Sequence, residues 1–293
     1  MIIIILISLA LASDETTMHP AAGTKATIAD AFDGASGEYE TIGPEFFELF
    51  GRALVDRAGL APGMRVLDVG CGTGAALLPA AEAVGPTGRV LGIDLAPGMI
   101  DRVGRAVAGR GWQHVNVRLG DAEDPPVTEP ELDCILAAHV LFFLPAPESA
   151  LARYHQILTS GGTLAFSTWG PNDPAWKPVY QALFRHIPEG STPTILPSRD
   201  AFSTDESITE LLDDAGFTAV QHETITYDVV YASADEWLAW NRSHGARAFW
   251  DAIPTEKLPA ARDDTRAALR DMVDADGRLH MVTPVRYTVA QRT

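Results

Sequence analysis

From residue 65 onward, short apolar runs alternate with stretches whose apolar positions recur every three to four residues. The runs at residues 65–69, 90–94, 115–119, 132–137 and 163–168 predict strands, and residues 74–84, 97–108 and 147–158 predict the helices between them. Strands this apolar, separated by helices, read as parallel and covered on both faces. Beyond residue 168 the pattern changes. "WGPNDPAWKP" is a proline-broken loop and "SITELLDDAGF" a helix closed by Gly216. Residues 218–230 then read as a long strand rich in β-branched side chains, 233–275 as a helical insert, and "RLHMVTPVRYTVAQR" as a closing strand.

Upstream, "EYETIGPEFFELFGRALVDRAG" places Phe46, Phe47, Phe50, Leu54 and Val55 on one broad helical face. Either that face packs on the sheet, or the helix is a lid over a bound ligand with Tyr39 at its hinge. The first residues, "MIIIILISLALASDE", imitate a secretory signal without its basic start, and fall short of the ~20 apolar residues that cross a bilayer. Three readings stand for them: an upstream extension outside the natural fold with Met18 as the start, a segment packed on the domain or a partner, or an export signal. The expected organisation is an extension without fixed structure over residues 1–35. A single domain over 36–293 follows, with insertions at about 170–204 and 233–276.

Composition narrows the class. A chain of 293 residues with 46% hydrophobic and 21% charged side chains can bury one large core or two modest ones. Its 22 basic against 39 acidic side chains give a net charge of −17, which repels phosphate backbones and leaves no basic stripe on any predicted element, so nucleic acid is not an expected partner. The two cysteines, Cys71 and Cys134, fall in a glycine loop and a predicted strand; neither a disulfide framework nor a metal site is indicated. A reduced, cytoplasmic chain with no metal and no membrane partner fits best.

Candidate chemistry concentrates in "RVLDVGCGTGAALLPAAEAVGPTGRVLGIDLAPGMI". Two apolar runs end at Asp68 and Asp94, and Gly70, Gly72 and Gly74 between them let the backbone turn sharply and approach a ligand, with free N–H groups offered by the helix that follows. With Ala75 the loop also satisfies the dinucleotide pattern G-x-G-x-x-[G/A], and Asp94 stands about where that motif wants its ribose-binding acid, which keeps a nicotinamide dehydrogenase in view. Two features argue against it. Asp68 would repel a pyrophosphate but attract a cationic amino acid head, and the third strand runs into "LGDAEDPP", where Asp121 is placed to accept from an exocyclic amine. The plainer alternatives are that Asp94 caps the helix near Pro97 and that Asp121 caps a turn.

"VLDVGCGTG", "GIDLAPGMI" and "GDAEDPP", in that order, resemble the class I S-adenosylmethionine-dependent methyltransferases, in the small-molecule branch that holds ubiquinone-type and bacterial natural-product enzymes. The resemblance covers residues 36–170 well and the remainder only in element order. It implies an α/β fold: a doubly wound, mostly parallel seven-stranded sheet with the last strand antiparallel, an N-terminal helical lid and a helical cap inserted before the last strand. It also implies S-adenosyl-L-methionine as cofactor. Asp68 and the backbone of Gly70, Cys71, Gly72 and Gly74 would surround the methionine part, Asp94 the ribose hydroxyls, Leu95 and Met99 the adenine, and Asp121 with Ala122 the adenine amine. Tyr39 and Ala137 complete the expected cofactor set.

Methyl transfer from positive sulfur needs alignment and desolvation, and a base where the acceptor carries a proton. His139, just past the fourth predicted strand in "CILAAHVLFFLP", is the candidate catalytic base, because the family places that strand end beside the methyl donor. A packing role for the ring is the alternative. Asp205, Glu206 and His244 read as ordinary surface. The segments after residue 168 and between the last two strands carry Trp169, Trp176, Trp237, Trp240 and Trp250, which read as apolar walls for a hydrophobic or aromatic small-molecule acceptor or as the core of a cap. The expected function is methylation of such a molecule in secondary metabolism. Rival readings are methylation of a peptide or protein carboxylate, a cofactor-binding protein that does not methylate, and an NAD(P)-dependent dehydrogenase. A homodimer is compatible with all of these.

Overall fold

Continuous apolar runs make the first strands. β1 (Arg65–Val69) is buried from its second residue on, as a parallel strand covered on both faces requires. It pairs in parallel with β2 (Arg89–Asp94) on one side and β4 (Leu132–Ala138) on the other. β3 (Val115–Leu119) pairs with β2, and β5 (Leu158–Trp169) with β4, also in parallel. β7 (Leu279–Arg292) runs antiparallel to β5, with Trp169 opposite Val285, and β6 (Phe217–Tyr231) lies beyond it. The sheet therefore has seven strands in the order β3-β2-β1-β4-β5-β7-β6. Parallel neighbours with matched registers bring the carboxyl ends of β1, β2, β4 and β5 to one edge, where ligands bind in open α/β sheets.

The computed structural model describes residues 22–37, 39, 42–127, 131–171, 173–193, 197–198 and 200–293. The apolar start and Met18 lie outside the described residues. Within the expected extension, residues Ala22–Ala35 form a helix, α1. The amphipathic segment that follows is shorter than its pattern suggests: Gly43, at a positive φ of 77°, and Pro44 precede it, and helix α2 begins only at Phe47 and runs to Ala58. Its buried face, Phe50, Gly51, Leu54, Val55 and Ala58, packs on β4, β5 and α3 (Leu77–Val84), which is the sheet-packing alternative. A Cβ on Gly51 would stand 2.0 Å from the carbonyl oxygen of Ala75, so this helix presses directly on the chain just after the glycine loop.

α3 begins three residues later than its periodicity predicts, because the turns of residues 70–76 occupy those positions. α4 (Pro97–Gly109) starts with proline in its first turn, where the missing N–H costs nothing. α5 (Pro147–Ile157) runs straight into β5, which starts at Leu158 instead of residue 163 because Leu158 already pairs with Leu132. α7 (Asp205–Asp214) carries a capping box made by Thr204 and Ser207.

The chain forms two compact units. The sheet unit takes Phe46–Gly170, Leu196–Ile225 and Val285–Thr293. The cap unit takes the described residues up to Glu45 together with Pro171–Ile195 and Thr226–Pro284, so the insertions supply most of it. In the cap unit, α6 (Lys177–Phe184), α8 (Ala234–Arg242), α9 (Arg247–Asp251) and α10 (Leu258–Leu269) enclose a core of rings. The Trp176 and Trp237 rings lie 5.4 Å apart and those of Phe184 and Phe249 5.0 Å apart, while Trp250 donates its Nε1–H to Asn241 at 2.8 Å. Trp176, Trp237, Trp240 and Trp250 are all buried there. They form the core of the cap, the second of the two readings, and Trp169 alone of the five belongs to the sheet unit.

Candidate active site

At the carboxyl edge of the sheet, two acidic side chains meet opposite fates. Asp94, at the end of β2, accepts the Gly72 N–H on Oδ2 and the Ala96 N–H on Oδ1, each at 2.9 Å. Burial raises its pKa, and those backbone donors pull it partly back. It therefore does what the capping alternative asks, at Ala96, while also tying the glycine loop to β2. Asp68, in β1, is fully buried, and neither carboxylate oxygen has a partner of hydrogen-bond quality among the described residues. Its pKa is driven well above the carboxylate range by burial first and by the charge of Asp94 second, with only the Leu77 N–H opposing.

The loop between them is shaped for close approach. The Cys71 N–H donates to the Ile93 carbonyl and the Gly74 N–H to the Cys71 carbonyl, both at 2.9 Å. The Cys71 thiol is buried and its pKa is raised by that burial and by the two acids, so it stays protonated. Gly70 and Gly72 both hold positive φ, but for different reasons: a Cβ at Gly70 would strike Val140 at 2.5 Å, whereas one at Gly72 would project into open space. Among the described residues, nothing stands within 4 Å of where a Gly72 Cβ would lie, so backbone is exposed to close approach there.

Met99 is buried on α4 and Leu95 is partly exposed beside Asp94. Asp121 follows β3 and accepts the Glu123 N–H at 2.9 Å, the turn-capping geometry of its plainer reading. The carbonyl of Ala122 accepts the hydroxyl of buried Tyr154 at 2.7 Å, which fixes the backbone there. Ala137 and Ala122 both pack their side chains into the core of the sheet unit. Tyr39 is in the cap unit, its ring 4.4 Å from that of His244.

His139 follows β4 in the left-handed conformation, φ 58°, which is costly for a side chain with a Cβ and points to a constrained position. Ser167 of β5, one strand over, receives it: the His139 N–H donates to the Ser167 carbonyl at 3.1 Å and to its Oγ at 3.2 Å, and Oγ lies 2.8 Å from Nδ1. The ring is enclosed by Trp169 at 4.1 Å, Phe50 at 5.7 Å, Phe47 at 6.2 Å and Phe142 at 6.4 Å between centroids. Burial lowers its pKa to about 3, and Nε2 has no partner among the described residues. Sequence reading missed Ser167 and the ring-on-ring role of Phe47 and Phe50. The one available signal was that a hydroxyl falls near the end of the strand neighbouring His139.

Two further expectations change. His244 is buried, its Nδ1 2.9 Å from the Trp240 carbonyl, so it is no surface residue. Asp205 is exposed yet anchors the buried guanidinium of Arg286 at 2.5 Å, while Glu206 is exposed as expected. Among the described residues, no cluster of His, Cys, Asp or Glu side chains is spaced to hold a metal ion, and no helix is long and apolar enough to cross a membrane.

A methyltransferase-domain family matches residues 67–166, which spans β1 to β5. Over 210 residues this chain is 38% identical to the aklanonic acid methyltransferase of Streptomyces sp. strain C5, covering 68% of this chain and 96% of that one. Over 275 residues it is 31% identical to the nocamycin O-methyltransferase of Saccharothrix syringae, covering 89% and 96%. The chain belongs to the S-adenosylmethionine-dependent methyltransferases. It falls in their natural-product branch, whose acceptors are small molecules. Among solved structures, the YcgJ protein of Bacillus subtilis shares the fold at a TM-score of 0.58 and 15% identity, over 84% of this chain and 99% of that one. The methyltransferase cofactor fits the site on physical grounds: among the described residues, the buried carboxylate of Asp68 lacks a cationic partner, and a Cβ on Gly72 would meet no atom within 4 Å.

Proposed function

We propose that the chain methylates an oxygen of a hydrophobic or aromatic small molecule, with the cofactor held along the carboxyl edge of β1, β2 and β3. The observation that carries this reading is the buried carboxylate of Asp68, which has no charged partner among the described residues to compensate its desolvation, only the weak opposition of the Leu77 N–H. The ammonium of an amino acid head would be that partner. Asp94 is held by two backbone N–H groups and retains lone pairs for the ribose hydroxyls, with Gly70, Cys71 and Gly74 shaping the loop around it. Leu95 and Met99 would line the adenine, Asp121 and the Ala122 backbone would accept and donate at its amine edge, and Ala137 completes the proposed set. When bound, S-adenosylmethionine supplies a methyl group made electrophilic by its positive sulfur.

The acceptor side rests on the rings around His139. Phe47, Phe50, Phe142 and Trp169 make an apolar enclosure that excludes water and suits a flat, apolar acceptor, while the imidazole is the polar group within it. The likeness to an aklanonic acid methyltransferase supports a small-molecule acceptor, and the likeness to a nocamycin O-methyltransferase supports oxygen as the accepting atom. The cytoplasm is the proposed location, with two buried free thiols as its support. Calorimetric titration with S-adenosylhomocysteine tests the cofactor half, and incubation with methyl-labelled cofactor and a panel of phenols and aromatic carboxylates, read by mass spectrometry, tests the acceptor half. Tight NAD or NADP binding without S-adenosylhomocysteine binding would sink the reading, and a chain that binds the cofactor but methylates nothing in such panels would favour a non-methylating role.

A further inference from the structure

We propose that the Ser167 hydroxyl locks His139 in the tautomer that carries its proton on Nε2, so that the ring serves as a hydrogen-bond donor to the methyl-accepting oxygen. The ring then has no free lone pair for a proton, and that oxygen must arrive already ionised. This rests on the reading of His139 as the polar group of the acceptor enclosure and deepens it.

The assignment follows from counting donors around a buried hydroxyl. Ser167 is fully buried, and its Oγ accepts the His139 backbone N–H at 3.2 Å. The hydroxyl has one proton to give, and the described partner within reach is Nδ1 at 2.8 Å. If Ser167 donates there, Nδ1 is the unprotonated nitrogen, and Oγ, its proton and Nδ1 are all satisfied, with Nε2–H alone left for a ligand. The reverse arrangement, with Nδ1–H donating to Oγ, would give the oxygen two incoming protons and leave its own hydroxyl proton buried without an acceptor. An unmade buried hydrogen bond of that kind disfavours the second tautomer by roughly ten- to a hundredfold. Nε2–H is then the group left over, and Nε2 is the ring nitrogen that has no partner among the described residues.

The surroundings keep the ring neutral. Its described neighbours are Ser167 and Trp169 from β5, Phe47 and Phe50 from α2, and Phe142 from the turn Leu141–Phe143, none of which titrates in the working range. Burial accordingly lowers the pKa, and the ring stays an uncharged donor far below neutrality. The left-handed backbone at His139 is what turns both its N–H and its Nδ1 toward one serine. With an ionised oxygen the transfer balances without a base: the O–C bond forms with an oxygen lone pair, the S–C bond breaks, the bonding pair stays on sulfur, and anion and sulfonium both become neutral. Ser167 is a positioning residue in this scheme, acting only through His139.

The test is long-range ¹H–¹⁵N correlation NMR on the full chain labelled in its histidine rings, with His139 assigned by loss of its signals in His139→Gln. Expected are a protonated Nε2 and an unprotonated Nδ1 from pH 7.5 down to 5, the same pattern in Ser167→Thr, and a mixed or reversed tautomer in Ser167→Ala. A wild-type ring protonated on Nδ1 overturns the proposal, even if Ser167→Ala does not fold; so does an unchanged tautomer in a folded Ser167→Ala. Calorimetry with S-adenosylhomocysteine on the same samples separates the two readings. A chain that binds none of it would fail the functional reading whatever its tautomer, and a chain that binds it with Nδ1 protonated would fail this proposal alone.

Discussion

Asp94 accepts the backbone N–H of Gly72 at 2.9 Å, across 22 residues of chain, and so holds the glycine loop against the end of β2. The same carboxylate is the proposed ribose acceptor, which couples loop shape to cofactor affinity. Asp94→Ala is therefore expected to weaken S-adenosylhomocysteine by more than one lost hydrogen bond would, about a hundredfold or beyond, since charge-assisted bonds contribute roughly 1.5–3 kcal/mol each. Calorimetry reads it, and a loss below about tenfold would show that Asp94 only shapes the turn.

Asp68 should show the opposite balance between stability and binding. Its folded-state pKa lies above the unfolded value, so the native state binds the extra proton in the interval between them. Stability contributed by that carboxyl is present at low pH and is lost as pH rises through the folded pKa. Asp68→Asn removes the penalty, and the ligand-free chain should gain about 1–3 kcal/mol near neutrality, or about 2–4 °C in Tm per kcal/mol. Cofactor affinity should fall in the same variant. A Tm that drops, measured by calorimetric scanning at pH 7.5, would mean that Asp68 has a partner in the ligand-free protein.

His139 carries two pH signatures. Its pKa is lowered to about 3 by burial, so between there and the unfolded value of about 6.5 only the unfolded chain is protonated. Its contribution is complete above that upper value and declines as pH falls, by about 1.4 kcal/mol per pH unit. The difference in stability between wild type and His139→Gln should shrink or invert from pH 7 to 5 in denaturant titrations. In turnover, the acid limb expected of a histidine base titrating near its ordinary value should be absent from the kcat profile. A limb that His139→Gln abolishes would restore the base reading.

The glycine loop separates two kinds of substitution. Gly51→Ala drives a methyl into the Ala75 carbonyl beneath α2 and should destabilise the ligand-free chain by several degrees. Gly72→Ala meets no atom within 4 Å and carries only the left-handed backbone strain of about 1–2 kcal/mol, yet its methyl would stand where the cofactor approaches. Its loss of affinity should exceed its loss of stability. Equal effects on both would place the ligand elsewhere.

What the sequence made legible was local. β1 and β3 have the bounds that their apolar runs predict, because a covered parallel strand needs little beyond its own side chains to be recognised. The order of Asp68, the glycines, Asp94 and Asp121 at successive strand ends followed from the same runs. Contacts made by register did not. Ser167 meets His139 only because Ala138 and Ser167 are opposite each other across β4 and β5, and a hydroxyl near a strand end is the one local hint of that pairing. The start of α3 was placed three residues early because apolar periodicity continues through glycines whose positive φ excludes a helix. The tryptophans were visible as apolar bulk, but periodicity does not say what a ring packs against. That four of them fill the cap core and one flanks His139 is a property of tertiary packing.

Asp205 and Glu206 are adjacent acids at the start of α7, both exposed and alike in sequence. Only Asp205 holds Arg286, whose buried guanidinium also donates to the carbonyls of Phe202 at 3.3 Å and Ser203 at 3.2 Å and approaches that of Trp169 at 3.5 Å. Removing the carboxylate leaves a buried cation with carbonyls but no counter-charge, and stranded buried charges are among the costlier point defects. Asp205→Ala should lower stability by about 1–3 kcal/mol, less than a fully buried pair would because solvent reaches the aspartate. Glu206→Ala should stay within about 0.5 kcal/mol of wild type. Since Arg286 also reaches the carbonyl of Trp169, whose ring lies 4.1 Å from that of His139, the Asp205 variant should change the tryptophan environment near the acceptor enclosure as well. Paired denaturant titrations followed by tryptophan fluorescence compare the two. Equal midpoints for the two variants would show that the carbonyls alone satisfy Arg286 and that Asp205 contributes nothing to the fold.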